Sequence, residues 1–157
     1  MIDKLKSNYG ALFEPALISE IEFAGQLKKV ESGTQLMHIG QYIKSMPLVL
    51  SGILKIMRED QEGDSLLLYY LEQGETCAMT LSCCLGSQKS EIIAVTESDT
   101  ELIMIPIEKM ETWTAQYKSW RDFVFNSYNH RIKDLLETVD SIAFLKMDER
   151  LIKYLEE

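Results

Sequence analysis

The sequence predicts a mainly β fold, a sandwich or barrel of short strands with flanking helices, followed by a long C-terminal helix. Glycines fall at positions 40, 52, 63, 74 and 86, at intervals of 11 or 12 residues, and Leu, Ile, Val and Tyr are frequent between them. Turn signals at this spacing are typical of sandwiches and barrels. After Pro106 the apolar period becomes helical, which predicts a helical C-terminal third.

The strands are expected to occupy roughly residues 26–105, behind a short amphipathic helix at 17–23. Residues 26–31 and 35–39 predict a hairpin about Ser32-Gly33. Apolar runs predict the remaining strands at residues 46–50, 53–57, 66–71, 92–96 and 102–105.

Two helices are expected after the strands. The first is short, at residues 107–117. The second should begin at Ser119-Trp-Arg-Asp122, where the serine oxygen can accept a bond from an unpaired backbone N–H. Trp113 and Trp120 are expected to pack where the β-domain meets the long helix.

The long helix carries two apolar series with a seven-residue repeat, separated by polar residues. The series are Phe125, Ile132 and Val139, and Tyr128, Leu135 and Ile142. A stripe this narrow is typical of a coiled coil and predicts a parallel homodimer. The alternative is that the helix packs on its own β-domain.

A further helix start is predicted at Met147-Asp148, with Leu151, Ile152 and Leu155 on one face. About two turns of amphipathic helix cannot stand alone in water. We therefore expect this segment to fold back, or the chain to be a piece of a longer protein.

Composition limits the functional classes. The 157 residues, 46% hydrophobic and 26% charged, suit one domain with a helical extension. Apolar runs of membrane-span length and a secretion signal are both missing, so a cytoplasmic, non-membrane protein is expected. Three cysteines suggest free thiols. A net charge of −9 argues against nucleic-acid binding by this chain alone.

The order of these elements resembles the Crp/Fnr family of bacterial transcription regulators, from about residue 17 to residue 157. The most similar stretches are Leu50-Ser-Gly-Ile-Leu-Lys-Ile56, Leu71-Glu-Gln-Gly-Glu75 and Asp148-Glu-Arg-Leu-Ile-Lys-Tyr-Leu155. The resemblance implies a jelly-roll, cyclic-nucleotide-binding-like β-roll over residues 1–117 and a dimerisation helix over 118–146. Residues 147–157 would then begin a helix-turn-helix DNA-binding domain whose remainder is missing from the sequence.

The resemblance also implies a ligand pocket around two segments. Its candidate residues are Gly74, Glu75, Thr76, Cys77, Lys89 and Ser90. In nucleotide-binding members the glutamate takes the ribose hydroxyl, a helix N-terminus meets the phosphate, and an arginine followed by Ser or Thr completes the site.

Lys89 stands where this arginine is expected, and a lysine cannot supply the planar two-pronged contact. Residues 59–120 contain no arginine, and residues 72–91 hold three glutamates against one lysine. Both features disfavour cyclic AMP or cyclic GMP and leave the cofactor unknown. A reshaped pocket for another ligand and a purely structural β-roll, in which Glu75 closes a turn, remain open.

An enzyme is not expected, because no nucleophile–base or paired-carboxylate motif is recognisable. His38 and His130 are the only histidines, and Cys77, Cys83 and Cys84 lack the spacing of a metal or iron–sulfur site. The predicted function is the effector-sensing and dimerisation half of a DNA-binding regulator. The alternative is a free-standing regulatory or protein-interaction module without DNA binding.

Overall fold

The computed structural model of the chain describes residues 1–85 and 88–156. The described helices are α1 Ile2–Tyr9, α2 Pro15–Ala24, α3 Ala78–Leu85, α4 Glu108–Gln116 and α5 Lys118–Glu156. The described strands are β1 Gln26–Val30, β2 Gln35–Met37, β3 Ser45–Ser51, β4 Leu54–Glu59, β5 Ser65–Leu71, β6 Ile93–Thr96 and β7 Thr100–Pro106. The sequence predicted β3 to β7 to within two residues at each end but missed α1.

The strands form two antiparallel sheets that face each other. One has three strands in the order β1-β7-β3, and the other has four in the order β2-β6-β4-β5. Buried side chains from both sheets form a single cluster between them. It consists of Met37, Ile43, Val49, Leu54, Ile56, Leu71, Cys77, Ile92, Ala94 and Leu102.

The predicted hairpin of residues 26–31 and 35–39 is wrong. β1 pairs with β7 and β2 pairs with β6, so the two strands belong to different sheets. The turn between them is held by the β6–β7 connection instead, because Gly33 donates its N–H to the Thr96 carbonyl at 2.7 Å and Ser32 donates its own to Asp99 at 2.9 Å. Local turn signals therefore marked the turn correctly but could not identify the strand partners.

The regular glycines mark turns with left-handed backbone, with φ between 79° and 90° at positions 40, 52, 63 and 74. Gly86 and the side chains of Cys83 and Cys84 lie outside the described residues. Gly52 is the most constrained position, since an added Cβ would lie 2.5 Å from the Asp99 carbonyl oxygen and 2.7 Å from the Thr100 Cα. A side chain there meets both backbone strain and a steric clash.

A second core joins the helices to the three-stranded sheet, and aromatic rings dominate it. Trp113 and Trp120 are fully buried, with ring centroids 5.3 Å apart in an edge-on arrangement. Phe123 packs edge-on against Phe13 at 4.9 Å, which fixes the first turns of α5 against the α1–α2 connection. The predicted tryptophan packing at this joint agrees with the structure.

The beginning of α5 differs from the predicted capping arrangement. The helix begins at Lys118, so Ser119 lies in its first turn. The Ser119 hydroxyl donates to the Glu14 carboxylate at 2.7 Å, and Glu14 returns a backbone N–H bond to the same hydroxyl at 3.2 Å. Because the Ser119 N–H also donates to the Glu14 carboxylate at 3.3 Å, the cap of α5 is tertiary and comes from the residue that precedes α2.

The helix then continues without a break through Met147-Asp148 to Glu156, where the sequence predicted a new helix start. The local cap signal at Asp148 is overridden because the flanking residues on both sides are helix formers. The assignment of residues 147–157 to a second domain stays a prediction.

Candidate effector site

The predicted pocket begins at a tight turn that Glu75 closes. Its carboxylate accepts the Glu72 N–H at 3.0 Å, and its own N–H donates to the Glu72 carbonyl at 3.2 Å. Gly74, with φ of 82°, allows the reversal and donates its N–H to the Tyr9 hydroxyl at 3.2 Å. Because Tyr9 is fully buried and also donates to the Val49 carbonyl, α1 fixes the turn to the roll.

The second oxygen of Glu75 faces a residue that the sequence analysis did not select, Arg131 of α5. The guanidinium Nη2 lies 3.6 Å from Glu75 Oε1, and the Arg131 side chain is 17% exposed. The guanidinium carbon lies 3.9 Å from the centre of the Tyr69 ring, and Nη1 donates to Asp134 at 2.9 Å. α5 thus places a guanidinium beside Glu75, from outside the segment 59–120 that lacks arginine.

Thr76 and Cys77 are both 1% exposed and lead into α3. The Thr76 hydroxyl donates to the Pro47 carbonyl at 3.3 Å, and the Cys77 sulfur lies 3.3 Å from the Tyr69 hydroxyl. Burial, followed by the neighbouring Cys77, raises the pKa of the Tyr69 hydroxyl. Cys77 therefore packs as a buried thiol in the roll core, with Tyr69 held neutral beside it.

Lys89 and Ser90 lie on a different surface. The Ser90 hydroxyl is buried and donates to the Ile92 carbonyl at 2.9 Å. Lys89 is exposed, and its ammonium lies 5.4 Å from the centre of the Tyr42 ring. Lys89 and Ser90 line an outer depression of about 640 Å³ that does not include Glu75.

Gly74, Glu75 and Thr76 instead line a cleft of about 260 Å³ between the turn and α5. Leu12 and Phe123 supply its apolar side chains, and polar groups of α5 form the opposite wall. The remaining lining residues are Ser119, Asp122, Asn126, Ser127, His130 and Arg131. The structure therefore divides the predicted pocket residues between two cavities and buries Cys77.

The predicted dimer residues lie along α5, beyond its buried first turns. Tyr128 contacts its own roll, with its hydroxyl 3.1 Å from that of Ser82 in α3. The others are exposed by half or more of their surface: Phe125, Ile132, Leu135, Val139 and Ile142. Most of the predicted seam is thus uncovered in the single chain.

Among the described residues, no group of three or more His, Cys, Asp or Glu side chains is placed to hold a metal ion. No described helix has the length and apolarity needed to cross a membrane.

The chain matches the family model of the cyclic nucleotide-binding domain over residues 27–117, more than half of its length. No curated protein sequence matches it. A protein of Eubacterium rectale described as a Crp/Fnr-family transcriptional regulator has a similar structure, with a TM-score of 0.73 at 22% identity. The similarity covers 87% of this chain and 63% of that protein.

Two further solved structures extend the comparison. The c-di-GMP-responsive global regulator of Xanthomonas campestris has a TM-score of 0.70 at 19% identity, over 91% of this chain and 71% of the regulator. A regulatory subunit of a cAMP-independent protein kinase A from Trypanosoma brucei has a TM-score of 0.68 at 12% identity, over 82% of this chain and 46% of the subunit. At these identities the likeness establishes the fold, and the predicted β-roll with a long C-terminal helix is confirmed.

Proposed function

The chain belongs to the cyclic nucleotide-binding domain family, and we propose that it is the effector-sensing and dimerisation half of a Crp/Fnr-type DNA-binding transcription regulator. The observation that carries this proposal is the helix α5. Its first turns are buried at Trp120, Phe123 and Val124, but the rest leaves the core with an exposed apolar stripe. A β-roll by itself has no need of such a helix, whereas a dimer does.

We propose that two copies of α5 form a parallel homodimer, in a bacterial cytoplasm, and that DNA binding belongs to a region that follows residue 157. The net charge of −9 is consistent with this division, since phosphate neutralisation requires lysines and arginines. The structural neighbours described above are regulators or regulatory subunits, which favours a non-enzymatic role.

The effector of this proposal is not cyclic AMP. Lys89 lies on the outer surface beside Tyr42, and Glu75 is already paired within the protein. The 260 Å³ cleft between the turn and α5 is the place where a small effector could contact the roll and the helix together. Binding of such a ligand would be coupled directly to the position of α5 against the roll.

The competing function is a free-standing regulatory module without DNA binding. It is favoured by the likeness to the trypanosome kinase regulatory subunit. Reading the gene beyond the codon for Glu157 separates the two, since a helix-turn-helix sequence supports the regulator and a stop codon supports the module.

The dimer is tested by light scattering on the unaltered chain and on Leu135→Glu. Leu135 is 63% exposed, so a dimer would bury most of it in each copy. Losing the buried Leu135 side chain from both copies should cost about 2–4 kcal/mol of dimer stability. This loss raises the dimer dissociation constant roughly 30- to 700-fold.

Ser141→Glu is the matched control, because it adds the same charge at an exposed polar position of the same helix. Leu135→Glu should be monomeric at concentrations where Ser141→Glu and the unaltered chain are dimers. An unaltered chain that stays monomeric at tens of micromolar contradicts the proposed seam.

A further inference from the structure

The Arg131 guanidinium contacts two groups of the β-roll, the Glu75 carboxylate and the Tyr69 ring, and its Nη1 also donates to Asp134 of its own helix at 2.9 Å. Its central carbon is 3.9 Å from the centre of the Tyr69 ring, and its Nη2 is 3.6 Å from Glu75 Oε1. A cation over an aromatic ring within about 6 Å is attracted by the ring quadrupole, more strongly where water is excluded. The Arg131 side chain is 17% exposed and the Glu75 side chain 35% exposed, so water is excluded from the guanidinium more than from the carboxylate.

The two partners of Arg131 that belong to the roll are held in place by the roll itself. Glu75 is fixed by the Glu72 N–H at 3.0 Å. Tyr69 is fixed by its strand pairing with Ile56 and by its hydroxyl contact with the Cys77 sulfur. The carboxylate and the ring are therefore preorganised before α5 supplies its cation.

The surrounding charge also favours a cation. Residues 72–91 carry three glutamates and one lysine, and that lysine lies beside Tyr42, where it lines a different cavity from Glu75. A phosphate placed at Glu75 would meet net negative charge, whereas a guanidinium meets complementary charge and a stacking face.

From this arrangement we infer that Glu75 and Tyr69 form a receptor for a planar cation, and that Arg131 is its built-in occupant. α5 thus docks on the roll through a side chain, without any added nucleotide. An external ligand that competes at this receptor must carry a guanidinium or amidinium group rather than a cyclic phosphate. The inference deepens the proposed effector site and rests on that proposal only for its regulatory meaning.

Chemical rescue tests the receptor. In Arg131→Ala the melting temperature should fall by roughly 2–8 °C, the scale of a partly desolvated cation–π contact with an ion pair. n-Propylguanidinium should bind the vacated receptor and restore stability. At about 10 mM, a dissociation constant of about 1 mM corresponds to a rise of roughly 3–6 °C.

Three controls make the rescue specific. n-Propylammonium has the same charge and alkyl chain but no planar fork, and should restore less than a third as much. The unaltered chain should gain nothing from n-propylguanidinium, because Arg131 already fills the receptor. Rescue should also be lost when Glu75→Gln is added to Arg131→Ala. Equal rescue by both cations, or rescue that survives Glu75→Gln, overturns the inference.

If Arg131→Ala does not fold, a magnetic resonance measurement on the unaltered chain tests the inference. The Arg131 Nε–H resonance should be shifted upfield by the Tyr69 ring, and the shift should disappear in Tyr69→Leu. An unshifted resonance in the unaltered chain overturns the inference. The outcome is independent of the dimer test, because rescue can succeed in a monomer and a dimer can form without it.

Discussion

Cyclic AMP should bind this chain no more tightly than the high micromolar range, and exchanging Lys89 for arginine should not restore tight binding. The reason is the position of Lys89 and Glu75, the two residues that match the nucleotide-contacting positions of the family. Lys89 is exposed and faces the Tyr42 ring at 5.4 Å, while Glu75 is shared between the Glu72 N–H and the Arg131 guanidinium.

The expected loss follows from counting these two contacts. A hydrogen bond to a charged group contributes about 1.5–3 kcal/mol, so each missing contact weakens binding by roughly 10- to 100-fold. Losing both would weaken a micromolar site to a dissociation constant of about 0.1 mM or more. Lys89→Arg supplies at most one of the two contacts, so its gain should not exceed about 10- to 100-fold, and the dissociation constant should stay at about 10 μM or more.

Calorimetry on protein freed of ligand by unfolding and refolding measures the dissociation constant of cyclic AMP for the unaltered chain and for Lys89→Arg. Lys89→Ala is the matched variant, because it removes the ammonium from an exposed position. A low-micromolar constant for cyclic AMP or cyclic GMP that is lost in Lys89→Ala would refute the reasoning. It would show that the Lys89 ammonium reaches the phosphate, and that its position beside Tyr42 in the ligand-free chain does not prevent this.

Two further predictions concern the stability of the fold that carries the site. Gly52→Ala should destabilise the chain by about 1–3 kcal/mol more than Gly40→Ala in denaturant unfolding; both glycines have positive φ, but only Gly52 lies against facing backbone. Equal losses of unfolding free energy in the two variants would show that the backbone facing Gly52 moves to accommodate the added methyl group. The hydrogen bond that Tyr117 donates lowers the pKa of the Glu20 carboxyl. The ionised Glu20 therefore stabilises the folded chain above about pH 4.5, and this stabilisation is lost as the pH falls through the folded-state pKa. Glu20→Gln should therefore differ from the unaltered chain at pH 7 and converge with it in acid, whereas the exposed control Glu22→Gln should show no such convergence.

Much of the fold could be predicted because its signals are local. Regularly spaced glycines and short apolar runs predicted β3 to β7, and the seven-residue repeat predicted a long helix with an apolar stripe. The errors arose where a partner is distant in sequence. The Ser32-Gly33 turn is held by Thr96 and Asp99, and the Ser119 hydroxyl pairs with Glu14.

The arrangement of the candidate site residues could be predicted only in part, for the same reason. Gly74, Glu75 and Thr76 do line a cleft, but Lys89 and Ser90 line another cavity. Tyr69 and Arg131 were not selected, since nothing in the β5 sequence or in the helix pattern indicates that they meet. Only the packing of α5 on the roll brings the guanidinium to the ring.

By itself, the sequence indicated the turns, the strands β3 to β7 and a helical C-terminal third, because backbone conformation and hydrophobic periodicity depend on neighbours in the chain. It did not indicate α1. It also gave three glutamates against one lysine in residues 72–91, a charge balance that disfavours a phosphate at Glu75. The tertiary structure alone decided which cation neutralises Glu75. Arg131 is distant in sequence and reaches the turn only because Trp120 and Phe123 bury the start of α5 and set the direction in which the rest of the helix runs.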